Sequence, residues 1–440
     1  MARPRKTPKM KHGLNSTTME DLDDNMLTQI LVRLPNCKTV LACTPVNKRW
    51  CSLISDLNFP VLFDNHKKKT NSDHEDDGPP WTLITAIHVR EQPLIKEFIS
   101  RSPKLSLGCL PCKSFTATAT FKDLVLCYSY EKCGRVYYIT NPLTKQWVAL
   151  PPCPVNKQLI TRIALICQRP YNLTQHYKFR VVKLLVQGKV HSLDTIKLFV
   201  YCSEIGKWKE INIRIPKEAG QFRIMTSAEP EIVVCNDLLY FKGGLCLVAL
   251  DPFDVNDVCG TTLDARVMPP LPDFGDLHES SGQLLVVHTP EIHGGLWFKK
   301  TGSSIELPMM VWRLDLNKAI ILGRWEMAFQ GLCNGTLNSG ELPSNTLSNN
   351  KIYPEQIVVH PYNHKLIYMY LASEEEFVSC DMQTRCITPS KSLPNYCLSK
   401  FLRLEHQWWP TAIPACAMHH NRTGVATTTD YSYYIATDLY

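Results

Sequence analysis

Apolar residues between positions 20 and 59 recur at three- and four-residue steps. Leu22, Met26, Ile30, Leu31 and Leu34 fall on one stripe, the spacing of one face of a helix. Asp21, Asp23 and Asp24 stand at its start, where the positive end of a helix dipole favours carboxylates. Pro35-Asn36 ends the stripe. Val40 and Leu41 predict a short second helix. Thr44-Pro45 predicts the start of a third, with Thr44 as N-cap and Pro45 at the first position, where no amide donor is needed. Val46, Trp50, Leu53 and Ile54 then share a face, and Pro60 follows closely. About forty residues cannot bury this much apolar surface on themselves. Such a stretch is expected to bury part of it against another protein; the alternative is packing on the domain that follows.

The pattern changes further along. Residues 63–80 carry a basic run, then an acidic run, then Gly-Pro-Pro, with no apolar face, and are expected to be a charged linker. From Trp81 onward short apolar runs alternate with turn residues, as in FKDLVLCYSY, GRVYYITNP, TIKLFVYCS, QLLVVHTP and KLIYMYLAS. Many short strands with few helical stretches predict a large all-β domain over 81–440. An irregular repeat narrows the choice. A strand ends in an Asn or Asp turn, then a Trp or apolar residue, then a proline close: ITNPLTKQWVALPP, YCSEIGKWKEINIRIP, ALDPFDV, WRLDLNKAIILGRWEMAF and CDMQTRCITPSKSLP. Trp147 and Trp208 lie 61 positions apart, as do Trp325 and Cys386. Five such units, plus a closing unit built from both ends of the domain, predict a kelch-like β-propeller of about six blades.

Composition adds little to the fold and more to the chemistry. The chain has 440 residues, 44% hydrophobic, with net charge +7. Arg3, Arg5, Lys6, Lys9 and Lys11 make residues 1–18 a basic tail, expected to be solvated and disordered. No apolar run approaches the ~20 residues of a membrane span, and the N-terminus lacks the apolar core of a secretory signal. The expected location is therefore intracellular, cytoplasm or nucleus, without membrane contact. The 18 cysteines are then expected to be reduced, small apolar residues.

Candidate chemistry is sparse. Cys109-Leu-Pro-Cys112 is one CxxC without the second pair that a structural zinc site uses. His360-Pro-Tyr-Asn-His364 has i, i+4 spacing, but Pro361 turns the segment and removes ligand geometry. His419-His420 stands alone. Glycine-rich phosphate loops, GxSxG elbows and HExxH are missing, so no cofactor is expected. Aromatic and basic residues are not interleaved as nucleic-acid binding needs. Trp408-Trp409, read as strand residues, would point to opposite faces.

Residues 20–59 resemble the F-box. The residues that carry the resemblance are Leu22, Met26, Ile30, Leu31, Leu34 and Pro35, then Val46-Asn47-Lys48-Arg49-Trp50. Asp23 stands where the family has proline, and Asn47 where it has cysteine. The remainder resembles the F-box-associated, kelch-type domain of plant F-box proteins, in pieces such as NPLTKQWVALPP, LHESSGQLLVVH, VVHPYNHKLIYMYL and WWPTAIP. The resemblance implies a three-helix F-box over 19–62 and a substrate-binding propeller behind it. It implies a substrate receptor of an SCF-type ubiquitin ligase. The F-box would bind the Skp adaptor and, through it, a cullin scaffold and a RING subunit. The propeller would hold a target protein, with no bond chemistry of its own. Leu22, Ile30, Leu31, Leu34, Pro35, Val40, Leu41, Val46 and Trp50 are the expected Skp-facing or F-box-core set, and periodicity does not separate the two roles. The alternatives are a Skp-binding scaffold without ligase function and an enzyme on a propeller scaffold.

Overall fold

The structure, a computed structural model, describes residues 22–56, 58–70, 79–87, 94–100, 109–112, 115–131, 134–154, 161–168, 177–185, 195–217, 232–254, 262–264, 266–272, 275–289, 299–301, 304–315, 324–337, 354–371, 376–392, 401–411 and 413. The chain divides into two compact units, with the break in sequence between Lys69 and Thr70. The basic tail and His419-His420 lie outside the described residues.

The helical unit holds α1 (Asp24–Val32), α2 (Cys37–Ala42), α3 (Lys48–Ile54) and α4 (Phe59–Thr70). The first three begin with one device. The Asp23 carboxylate accepts from the Met26 amide at 2.7 Å, the Asn36 side chain from Thr39 at 3.0 Å, and Asn47 from Trp50 at 2.8 Å. Each satisfies an amide that the helix itself leaves without a partner. Two expectations change here. Thr44-Pro45 does not start the third helix, because residues 43–46 are taken up by tight turns, Thr44 N to Leu41 O and Val46 N to Cys43 O. Asn47 caps it instead. Second, residues 63–70 are helix, not linker. Phe59 and Phe63, one turn apart, are both buried with ring centroids 6.5 Å apart. Lys67 lies 5.2 Å over the Phe63 ring, and the Lys67–Lys69 run occupies the last turn, where a helix dipole favours cations. Pro60 sits in the first turn of α4, the position a helix tolerates best.

The β-unit runs through β1 (Trp81–Ile87), β2 (Leu94–Ser100), β3 (Thr116–Phe121), β4 (Leu124–Glu131), β5 (Gly134–Asn141), β6 (Gln146–Ala149), β7 (Thr161–Gln168), β8 (Lys178–Leu185), β9 (Thr195–Cys202), β10 (Lys207–Arg214), β11 (Ile232–Cys235), β12 (Leu238–Gly243) and β13 (Cys246–Leu250). It continues through β14 (Thr262–Asp264), β15 (Arg266–Val267), β16 (Asp276–Ser280), β17 (Gln283–His288), β18 (Lys299–Thr301), β19 (Ser304–Asp315), β20 (Arg324–Thr336), β21 (Pro354–Val359), β22 (Leu366–Leu371), β23 (Glu376–Asp381), β24 (Cys386–Ser392) and β25 (Phe401–Glu405).

Among the described residues these strands form five sheets: β2-β1-β25, β3 to β6 in order, β7 to β10 with β14 added, β11-β12-β13-β15, and a nine-stranded sheet. The last is two antiparallel meanders, β16 to β20 and β21 to β24, joined by one parallel contact of Asn334 and Gly335 with Cys386 and Ile387. At this junction a Cβ on Gly335 would lie 2.0 Å from the Ile387 carbonyl oxygen, so only glycine lets β20 approach β24. The first strands of successive meanders touch in a closed circle. β3 neighbours β7, β7 neighbours β11, β11 neighbours β16, β16 neighbours β21, β21 neighbours β25, and β25 neighbours β3. The circle closes where β1 pairs with β25, Trp81 opposite Glu405. This joins the two ends of the domain, as its repeat predicts.

The repeat acquires a physical basis. Asn141 and Asp381 each close a four-residue turn, accepting from the amides two and three residues on. Lys145, Gly206 and Arg385 take the left-handed backbone that ends such turns. Trp208 pairs with Tyr201, and the equivalent position pairs Cys380 with Ile387. Ile387, not Cys386, therefore occupies the tryptophan position, and it is buried while Cys386 is exposed. Trp208 donates its indole N–H to the Pro151 carbonyl at 2.8 Å, and Trp325 to that of Pro269 at 3.3 Å. These two tryptophans thus tie β10 and β20 to the proline close of the preceding meander. Trp408-Trp409 lies in a bend after β25 rather than in a strand; Trp409 is buried and Trp408 half-buried.

Candidate docking site on the helical unit

Helix α1 carries two adjacent apolar stripes. Leu27 and Leu31, four residues apart, are buried, together with Val32. Met26 and Ile30, one position earlier, also lie four apart but remain 54% and 37% exposed. A helix turns about 100° per residue, so the two pairs occupy neighbouring faces, one inward and one outward. Arg49 of α3 bridges back to α1, with Nε 2.7 Å from the Asp24 carboxylate and Nη2 donating to the Leu22 carbonyl. Val46, in the turn before α3, is 59% exposed, and α4 adds exposed Val61 and Leu62.

The expected partner set is thereby sorted. Leu31 and Val40 are interior, at 1% and 0% exposure. Ile30, Pro35 and Val46 face solvent, and Leu22, Leu34, Leu41 and Trp50 are half-buried. Sequence reasoning missed Leu27, although its four-residue spacing to Leu31 was available. It also missed Val61 and Leu62, which lie past the three helices that the apolar stripes predict, on α4. Of the nine large apolar side chains exposed among the described residues, five are in the helical unit: Met26, Ile30, Val46, Val61 and Leu62. Leaving such side chains in water forgoes ~25 cal/mol per Å² of burial, which makes this unit the candidate docking surface.

The β-unit contains polar clusters of a different kind. Arg403 on β25 donates to the Glu279 carboxylate, to the Glu279 carbonyl at 2.6 Å and to the Val359 carbonyl at 3.4 Å. It also lies 3.5 Å from Glu405, whose carboxylate accepts from the Tyr362 hydroxyl at 3.2 Å. Burial pushes the Glu405 carboxyl and the Tyr362 hydroxyl up from their usual ranges. Neighbouring turns are bonded in sequence: Asn236 to Gly282, Ser281 to Pro361 and Tyr362, and Glu405 to Lys122. These mutually compensated groups, half-buried around Arg403 and exposed at Asn236 and Ser281, clasp the circle together.

His360 is the anchor of a turn. Its Nδ1 accepts from the amides of Tyr362 and Asn363 at 3.1 and 3.0 Å, and Trp81 packs edge-on against the ring. Cys109 and Cys112 lie near Cys127, whose thiol is pushed up by burial, which disfavours the thiolate that metal binding needs. Among the described residues, no group of three or more His, Cys, Asp or Glu side chains could hold a metal ion. Among them, too, no helix is long and apolar enough to cross a membrane.

Residues 104–403 match the family model described as F-box protein At3g26010-like, beta-propeller. The chain belongs to this β-propeller family. Its match to the F-box/kelch-repeat protein At4g22430 of Arabidopsis thaliana is 23% identical and covers 84% of this chain and 80% of that one. F-box protein At5g07610 of the same plant is 25% identical over 69% of this chain and 70% of its own. F-box protein At3g26010, also from Arabidopsis, is 25% identical over 49% of this chain and 51% of its own. The closed circle of meanders is thus a β-propeller, and relatives that span most of the chain are F-box proteins.

Proposed function

We propose that this protein is the substrate-recognition subunit of an SCF-type ubiquitin ligase. The helical unit docks on the Skp adaptor, and through it on a cullin and a RING subunit, while a six-bladed propeller holds a target protein. The observation that carries the reading is the outward stripe of Met26 and Ile30 with Val46, Val61 and Leu62, beside an interior already filled by Leu27, Leu31, Val40 and Phe63. Family membership supports the same assignment. The circle of first strands supports a count of six, with β16–β20 and β21–β24 taken as separate blades. No group need react. The chain raises the local concentration of target lysines beside a conjugating enzyme.

Capture of the purified full chain by immobilised Skp adaptor tests this. Wild type is expected to bind. Ile30→Glu combined with Val46→Glu places two charges on the docking face and is expected to weaken capture at least a hundredfold with unchanged thermal unfolding. Equal capture by the variant, or none by wild type, overturns the assignment. Ubiquitylation by the reconstituted complex then separates a ligase receptor from a scaffold that binds Skp alone.

A further inference from the structure

The seam between the β3–β6 and β7–β10 sheets holds an aromatic and cationic cluster that the circle-closing clasp does not use. Across β4 and β5, Tyr128 stands opposite Tyr137 and Tyr130 opposite Arg135, so these four side chains share one face. The Tyr128 ring lies 5.5 Å from that of Tyr130 and 6.0 Å from that of Tyr137. The Arg135 guanidinium sits 4.9 Å from the Tyr128 ring centre and 5.2 Å from that of Tyr130. It donates to the Tyr130 hydroxyl from Nε at 3.1 Å and from Nη2 at 2.8 Å. Lys183 enters from β8 on the facing sheet, its Nζ 5.6 Å from the Tyr137 ring centre.

Two features make this cluster more than packing. Lys183 is only 4% exposed, and a buried ammonium is costly unless it is paired. Burial lowers its affinity for a proton, Cys153 opposes that, and Arg135 adds to it. The two cations therefore repel each other, and among the described residues neither pairs with a carboxylate. Second, the cluster is graded from buried Tyr137 and Lys183 through half-buried Arg135 out to Tyr130, which is 61% exposed, so its outer end meets solvent.

The geometry points to a binding site for an anionic group, a phosphate or carboxylate, presented by a side chain of a peptide. With its Nε edge held by Tyr130, Arg135 keeps the Nη1 side of its guanidinium to donate, Lys183 offers a desolvated positive charge, and the tyrosine rings wall the approach of an organic chain. The peptide source rests on the target-holding role proposed above. The preference for an anion rests on the cluster alone.

The test uses the full chain and three degenerate peptide pools that differ only in a fixed central phosphoserine, glutamate or serine, with inorganic phosphate as a fourth probe. Titration calorimetry at low salt is expected to show at least tenfold tighter binding for the phosphoserine or glutamate pool than for the serine pool, weakening as salt rises. Arg135→Gln and Lys183→Met are expected to remove at least tenfold of that preference. Tyr130→Ala, at an exposed position that folding does not depend on, is expected to remove threefold or more. Equal binding of charged and uncharged pools, or an undiminished preference in Tyr130→Ala and Arg135→Gln, overturns the site. Binding of inorganic phosphate with no preference among the pools overturns the peptide assignment. Skp capture by the same variants keeps the two readings apart. It is expected to be unchanged in all of them, so an undiminished or absent anion preference in a chain that still captures Skp sinks this inference alone.

Discussion

The helical unit and the β-unit spend their apolar residues differently. Residues 22–70 leave five large apolar side chains in solvent, whereas the described part of the β-unit, several times longer, leaves four. The β-unit can bury what it has, because sheets packed in a closed circle give each apolar face a neighbour on either side. Phe179, Val181, Tyr137 and Tyr201 meet between two sheets, and Leu198, Val200, Leu239 and Val248 between the next two. Four short helices have no such closure, and one face of α1 is left over. Stability is thus internal to the propeller, while the helical unit keeps a larger share of its apolar surface exposed.

Substitutions should fall unequally on the two units. The largest effect is expected at Gly335. A Cβ there meets the Ile387 carbonyl, so Gly335→Ala should cost about 3 kcal/mol or more, read as earlier thermal loss of β-structure with Skp capture preserved. In α1 the neighbours Leu31 and Ile30 should behave in opposite ways. Leu31→Ala should cost about 3 kcal/mol in helical stability, while Ile30→Ala should stay within about 0.5 kcal/mol yet weaken Skp capture; equal stability losses would erase the distinction between the inward and outward stripes. The caps come next. Asp23→Ala and Asn47→Ala should each cost about 1 kcal/mol by denaturant unfolding. Trp208→Phe keeps most of the ring and removes the bond to Pro151, for about 1 kcal/mol, and Trp325→Phe should cost less because its bond is longer.

The smallest effect concerns pH. Burial pushes the Glu204 carboxyl up, but the hydrogen bonds and charge of Arg180 more than offset this and hold it below the usual glutamate range. A depressed carboxyl contributes stability above its unfolded value of about 4.3 and loses it as pH falls through the folded value. The difference between wild type and Glu204→Gln in urea unfolding should therefore be present at pH 7 and close below about pH 4. No difference at pH 7 would mean that Arg180 acts through its contacts with Pro252 and Phe253 and not through the ion pair.

Much of this was open to a reading of residues alone. Period and length placed helices before strands, because a 3.6-residue stripe and a two-residue alternation are local properties of the chain. The Asn/Asp turn, Trp and proline close marked the meanders, since each turn needs its side chain or left-handed residue within a few positions. The closing partnership of the two ends followed from counting units. Other features were not local. Asn47 and not Thr44 caps α3 because of where the preceding turns end. Residues 63–70 are helical because Phe59 and Phe63 find a buried site, which outweighs the polar composition after them. Leu31 faces inward and Ile30 outward by the choice between two stripes of nearly equal hydrophobicity, a choice made by packing and not by spacing. The approach of β20 to β24 through Gly335, and the meeting of Arg135 and Lys183 across a seam, bring together residues far apart in sequence. The sequence by itself determined the elements, their order and the surplus of apolar surface, because these depend on neighbours along the chain. Only the tertiary structure decided which side of each element that surplus lies on, because burial is settled by what packs against it.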